Sequence, residues 1–258
     1  MSSQMQNLKN RLPFKQKQKL KAIVNSIKSF GRKNDLTWLA KVYGTDKWGT
    51  HFYTPHYQHH FAAFKYKKIT LLEIGVGGHE SPAIGGNSLR MWKQYFPFGK
   101  INSIDIFDKS SLQEKRIKIF KGSQVDKAFL QHVIKEIGSP DIIIDDGSHL
   151  NEHVIETFKF LFPFLKDGGI YVVEDSQTSY WPAFGGDDEN LNNQKTLLSF
   201  FKSLTDSLNY QEFSPKASPL PPFGKSIVSM HFYHNLVFIY KGENNEPSNK
   251  DDSHKVHA

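Results

Sequence analysis

The chain has 258 residues, 38% of them apolar, with 21 phenylalanines, 10 tyrosines and no cysteine. That is core material for one α/β domain with embellishments, which excludes a chain disordered throughout; the missing thiols exclude a disulfide framework and a thiolate metal site. The formal charge of +7 is lopsided, because residues 1–34 hold nine Lys or Arg and no acid while the remainder is slightly acidic, so a basic catalytic domain is excluded as well.

Residues 1–34 form a basic arm in which LKAIVNSIKSFGRK sets Leu20, Ile23, Val24 and Ile27 on one helical face. Two readings stand. One is a solvated helix packing on the domain or on a partner subunit of a homo-oligomer. The other is a helix docking on an anionic membrane surface or a polyanion. The arm lacks the apolar core of roughly 7–15 residues that marks a signal peptide, and no apolar run approaches ~18 residues, so a cytoplasmic location is expected. Residues 242–258 are polar, free of aromatics, and read as a frayed tail.

The domain is expected over 35–241. ITLLEIGV reads as a strand ending in glycines, NSLRMWKQYF as the helix after it, INSIDIF as a second strand and IKIFKGS as a short third. DKAFLQHVIKEIG has helical spacing, DIIIDDGSH is a fourth strand, NEHVIETFKFLFPFL a helix and GGIYVVED a fifth strand. Unbroken apolar strands separated by helices predict a parallel sheet with helices on both faces. After the helix NQKTLLSFFKSL, the runs SIVSMHFY and NLVFIYKG lie too close together to be anything but antiparallel.

In an open α/β sheet, ligands sit at the carboxyl ends of the strands. The first strand ends at Glu73, Gly75 and Gly77, where glycines let backbone approach a ligand or simply make a turn. Position 80 holds no glycine, so the dinucleotide pattern is absent, which favours a ligand with an uncharged linker such as S-adenosylmethionine. Asp105, at the end of the second strand, is placed to accept two ribose hydroxyls or to cap a helix. Gln124, after the third, meets an adenine edge or solvent. Ser88 either caps the helix that follows or donates to a carboxylate at its N-terminus.

The fourth strand finishes Asp145-Asp146-Gly147-Ser148-His149 and the fifth Glu174-Asp175. Converging acids repel unless a divalent cation relieves them, and oxygen ligands without thiols point to Mg²⁺, with Mn²⁺ or Ca²⁺ as alternatives. Singly, each acid reads equally well as a turn residue or a helix cap. His149, beside such a cation, is the natural proton acceptor.

The stretch from Tyr43 to Trp181 carries YGTDKWGTHFYTPHY, LLEIGVGG, GGNSLRMW, SIDIFD, GSQVD, IDDGSH and VVEDSQTSYW. Together these motifs resemble the metal-dependent sugar O-methyltransferases of the mycinamicin and macrocin tailoring type, a group that includes the cephalosporin-hydroxylase-like proteins. The resemblance implies a Rossmann-like class I methyltransferase with a mainly parallel seven-stranded sheet and a C-terminal antiparallel hairpin. It implies methylation of a sugar hydroxyl on a glycoside, polysaccharide or glycosylated natural product. Asp146, Glu174 and Asp175 then match the Mg²⁺ ligands, His149 the general base and Asp105 the ribose contact; Asp145 goes to the methionine end of the cofactor. Residues 35–68 would be a lid over cofactor and acceptor, with Tyr53, His56 and Tyr57 meeting a sugar, or a buried aromatic cluster; Tyr180 and Trp181 are better placed for stacking. The sequence departs from the antibiotic enzymes in having only the short arm before Tyr43, which bears on oligomer and acceptor.

Three rivals remain. A catechol-type O-methyltransferase usually carries Asp-Asn where this chain has Glu174-Asp175. A nucleic-acid methyltransferase would use the arm, yet the domain is slightly acidic and has no N/D-P-P-Y/F motif, so no specific nucleic acid is expected. The third is a non-catalytic cofactor- or carbohydrate-binding protein that keeps the fold.

Overall fold

The apolar runs become a sheet. A computed structural model describes residues 13–213 and 221–248, so the start of the basic arm and the last ten residues of the expected tail lie outside the described residues. Strands β1 (Thr70–Ile74), β2 (Lys100–Asp105), β3 (Ile117–Lys121), β4 (Ile142–Asp145), β5 (Ile170–Glu174), β6 (Ile227–Tyr233) and β7 (Leu236–Lys241) stand in the order β3-β2-β1-β4-β5-β7-β6. β1 pairs parallel with β4 (Ile74 opposite Asp145), and β4 parallel with β5 (Asp145 opposite Val173). β7 pairs antiparallel with β5 and with β6, and its hairpin turns at His234 and Asn235, the latter left-handed at φ 63°. Asparagine tolerates that conformation better than most residues. The strand order reverses between β1 and β4, so the tips of β1, β4 and β5 share the crevice of this topology.

The chain gathers into two compact units that alternate along the sequence, which is why no linker marks their boundary. One gathers the chain up to Ile69 with Val76–Ile101 and Phe107–Ile119; the other gathers Thr70–Gly75, Asn102–Ile106 and everything from Phe120 onward.

In the first unit lie helices α1 (Phe14–Lys28), α2 (Leu36–Tyr43), α3 (Thr54–Phe61) and α4 (Asn87–Tyr95). Asp35 caps α2 by accepting from the Trp38 amide at 2.8 Å, and Gly44 ends it in the left-handed region. Tyr57, Phe61, Trp92 and Phe96 are buried and meet at ring distances of 4.9–6.5 Å, an aromatic core that fixes α3 against α4.

The second unit holds α5 (Lys127–Ile137), α6 (Asn151–Leu161) and α7 (Leu197–Ser203). On α6 the buried positions Val154, Phe158 and Leu161 recur at three- and four-residue spacing. Phe158 packs on Phe162 at 4.8 Å, on Tyr171 of β5 at 5.0 Å and on Phe201 of α7 at 5.1 Å. This packing pins the start of α6, directly after the β4 tip.

Candidate metal and cofactor crevice

The tips of β1 and β4 touch through their backbones. At Gly75 (φ 93°) a Cβ would lie 2.1 Å from the carbonyl oxygen of Asp146, so only glycine fits both the angle and the space. The Asp146 amide donates to Ile74 O at 3.1 Å, and the Gly75 amide to Ile104 O at 2.9 Å. Asp146 is thereby fixed beside the end of β1.

Asp146 belongs to two overlapping acidic groups. Oxygens of Glu73, Asp146 and Glu174 lie within 4.8 Å of one another; so do ligand atoms of Asp146, His149 and Asp175. Glu73 and Glu174 are buried, and the other three are half-buried. Consecutive side chains of a strand point to opposite faces, yet Glu174 and Asp175 both reach Asp146. The cause is the backbone at Asp175, which turns left-handed (φ 53°, ψ 39°) as β5 ends. The expected set of Asp146, Glu174 and Asp175 is thus brought to one carboxylate but not gathered as one group of three. Glu73, expected at the cofactor, stands among the acids.

His149 is also left-handed, at φ 57°. Its Nε2 lies 3.6 Å from Asp175 Oδ2 and 3.9 Å from Asp146 Oδ1. Two non-glycine residues in this region cost roughly 1–3 kcal/mol each, and both stand at the crevice. The loop is held by Gln124: its Oε1 accepts from the Ser148 amide at 2.8 Å, while its Nε2 donates to Asp145 Oδ1 at 3.3 Å and to Thr157 Oγ1 at 3.1 Å. Gly147 leaves room for that amide, since a Cβ would lie 2.3 Å from Gln124 Oε1 and push the side chain aside. The Ser148 hydroxyl pairs with His153 Nδ1 at 3.0 Å.

Burial corrects the expectations for Asp145, Gln124, Tyr53 and Tyr57. Asp145 is 1% exposed, accepts from Tyr171 Oη and Gln124 Nε2 at 3.3 Å, and offers nothing to the methionine end of a ligand. Burial raises its pKa from 3.8 to about 7; the Tyr171 and Gln124 bonds work against the rise and the neighbouring Asp146 charge adds to it. Gln124 faces neither an adenine nor solvent, because both ends of its amide are occupied by the β4 loop and its neighbours. Likewise Tyr53 and Tyr57 are buried, Tyr57 between Phe61 and Trp92, so they are core and cannot stack on an acceptor. His56 is half-buried on the same helix. Tyr180 and Trp181 are exposed at 43% and 48%.

Asp105 ends β2 half-buried, and bends rather than a helix follow it, so it is not a helix N-cap. Gly77 is left-handed at φ 74° with open space where a Cβ would stand. Ser88 sits inside the first turn of α4, whose cap position is Gly86; it is therefore not the cap.

Two residues went unread in the sequence. Lys109 is fully buried and donates from Nζ to the carbonyls of His79 (2.5 Å), Ser81 (2.8 Å) and Ile84 (3.1 Å), tying down the long loop after β1. In FDKSS it looks like any solvated lysine, so no local signal marks it. Asn151 is buried too; its Nδ2 donates to Thr178 O at 2.9 Å and Phe184 O at 2.8 Å, and its Oδ1 accepts from the Leu197 amide at 2.7 Å. It clasps the segment that carries Tyr180 and Trp181. A cavity of about 530 Å³ opens beside it, lined by Leu150, His153, Phe184 and Lys195 among others.

No family model matches the chain. Individual relatives do. The mycinamicin VI 2''-O-methyltransferase of Micromonospora griseorubida is 45% identical over 217 residues, covering 83% of this chain and 54% of the relative. The demethylmacrocin O-methyltransferase of Streptomyces fradiae is 46% identical over 83% of this chain and 55% of its own length. A tetracenomycin rhamnosyl 2'-O-methyltransferase of Streptomyces olivaceus is 47% identical over 81% of this chain and 55% of its own. Among solved structures, the MycE methyltransferase of the mycinamycin pathway, in complex with Mg, SAH and mycinamycin VI, superposes with a TM-score of 0.80 at 45% identity, covering 84% of this chain and 55% of that one. The chain spans about half the length of the curated relatives it matches. Over the length it shares with them, the chain belongs to the mycinamicin and macrocin type of sugar O-methyltransferase, and its sheet is that of the class I methyltransferases.

Proposed function

We propose that this protein transfers the methyl group of S-adenosylmethionine to a hydroxyl of a sugar-bearing acceptor, with a divalent cation, Mg²⁺ by preference, at the β4 and β5 tips. The observation that carries this reading is Asp146 shared between two acidic groups. Two ionised carboxylates about 5 Å apart repel by roughly 3 kcal/mol at an effective dielectric of ~20, and Glu73 and Glu174 are buried beside Asp146. A hard cation fits that donor set of oxygens. Asp146, Glu174 and Asp175 would hold it, with Glu73 beside Asp146 and Glu174. Such a cation supplies charge that acidifies and orients an acceptor hydroxyl.

The chain's own residues do the rest. His149 takes the proton of the acceptor hydroxyl as that oxygen bonds to the methyl carbon and the carbon–sulfur bond breaks, its electron pair staying on sulfur. The Asp175 carboxylate lies 3.6 Å from His149 Nε2 and orients the ring. Gln124, Gly147 and Ser148 hold the loop that aims His149. Asp105, at the end of β2, accepts from the ribose hydroxyls, and Gly75 lets backbone approach the ligand. Tyr180 and Trp181 offer exposed aromatic faces to the apolar side of a sugar. Relatives named for sugar O-methylation, and a neighbour solved with Mg, SAH and a glycosylated macrolide, support this assignment.

Calorimetry with S-adenosylhomocysteine, with and without Mg²⁺, followed by metal-dependent methylation assays on a panel of glycosides, tests the reading. Binding and metal-dependent turnover support it; absence of any cofactor binding instead favours a protein that keeps the fold without the chemistry.

A further inference from the structure

Helix α1 turns its polar side to the protein. Asn25 and Ser29 are buried, and the Ser29 hydroxyl donates to Asn25 O at 2.6 Å. On the opposite side Leu20, Ile23 and Ile27 are exposed, Ile27 by 69%, and Phe30 in the turn that follows is 82% exposed. A helix stabilised by packing on its own domain buries the apolar stripe, and this one leaves it outside. The orientation is anchored. Trp38 Nε1 donates to Lys28 O at 3.0 Å, Arg32 lies 4.3 Å over the Trp38 ring and pairs with Asp35 at 2.6 Å, and Lys65 Nζ donates to Lys33 O at 2.9 Å. Rolling the helix to hide its stripe would break these bonds.

The surroundings of the stripe are cationic. At ~100° per residue, Lys17, Lys21 and Lys28 fall along one flank of it, all three exposed, and no acid occurs before Asp35. A second copy of the helix would bring like charges together. A nucleic acid would satisfy the lysines and leave four large apolar side chains in water. A lipid surface with anionic headgroups satisfies both.

We propose that α1 is an interfacial helix that seats this protein on an anionic lipid surface, with Leu20, Ile23, Ile27 and Phe30 entering the boundary between headgroups and acyl chains and Lys17, Lys21 and Lys28 lying against lipid phosphates. No helix among the described residues is long and apolar enough to cross a membrane. The attachment is independent of the chemistry assigned to the crevice.

Flotation of the full chain with phosphatidylcholine vesicles, with and without about 30% phosphatidylglycerol, tests it. The anionic vesicles should bind at least about tenfold more tightly. Ile23→Ser with Ile27→Ser should weaken that binding about tenfold, and Lys17, Lys21 and Lys28→Glu together about 100-fold. All five positions are exposed, and a thermal melt on each variant confirms its fold. Failure to bind either vesicle, or binding indifferent to both sets of substitutions, overturns the proposal. So does a dimer in sedimentation that the Ser substitutions dissociate, which would make the occupant a second copy, or a DNA duplex bound in place of vesicles.

Discussion

His149 stands between two carboxylates that are themselves held by backbone contacts, and this decides what its loss would do. The contacts of its side chain are with Asp146 and Asp175, away from the glycine turn and Asp105, so cofactor affinity should not depend on it. Replacing His149 by Ala is expected to lower turnover by ~10²–10⁴-fold while S-adenosylhomocysteine binds within about threefold of the parent, read by calorimetry beside single-turnover assays. Normal methylation by the variant would remove His149 as the base. Asp145 makes a different prediction. Its folded pKa lies near 7 against 3.8 for an ordinary aspartate, so the folded protein binds a proton that the unfolded chain has released between those values. The contribution of this group to stability in chelator is therefore fully present below about pH 4, is lost as pH rises toward 7, and then levels off, by up to roughly 4 kcal/mol. Asp145→Asn should flatten that decline in urea titrations at pH 5 and pH 8; an equally steep decline in the variant would place the pH dependence elsewhere. That Asp145 and Asp146 play unlike parts was beyond the reach of the sequence. They are the same residue type side by side, and only Tyr171 and Gln124, distant in the chain, bury one and leave the other in the crevice.

Strand ends do the positioning, and Gly75 is where that is most exposed to test. A methyl group there meets the Asp146 carbonyl at 2.1 Å at a φ that disfavours any side chain. Gly75→Ala should destabilise the protein by roughly 2–4 kcal/mol, seen in denaturant midpoints, and should weaken metal binding because the displaced partner is Asp146 itself. A variant as stable as the parent would mean the β1 and β4 tips are free to part. Much at this scale was legible in advance. Runs such as LLEIG and DIIID announce buried parallel strands, and the acids that end them mark the crevice, because both signals are local. Where the answer depended on partners far away, it was not legible. The aromatic segment around Tyr53 and Tyr57 reads equally well as a sugar platform or as core, and Trp92 and Phe96 decide for core. The stripe on α1 obeys the helical period, but which way it faces is set by Trp38 and Lys65 on later elements.

At the scale of the whole molecule, the acid cluster ties folding to metal. The unfolded chain has no cluster, so any cation held by Asp146 and its neighbours stabilises only the folded state, by RT ln(1 + [L]/Kd), or ~2.7 kcal/mol at one hundred times Kd. For a chain of this length 1 kcal/mol moves the melting temperature by ~2–4 °C, so saturating Mg²⁺ should raise it by roughly 5–10 °C over protein in chelator. The cluster also predicts the control. Asp146→Asn removes the one carboxylate common to both groups and relieves repulsion on Glu73 and Glu174, so the variant in chelator should melt at or above the parent and gain little from Mg²⁺. This pattern, a site that costs stability empty and restores it filled, separates a metal centre from acids that merely cap turns. If parent and variant respond to Mg²⁺ alike, the cation sits elsewhere and the crevice chemistry loses its foundation.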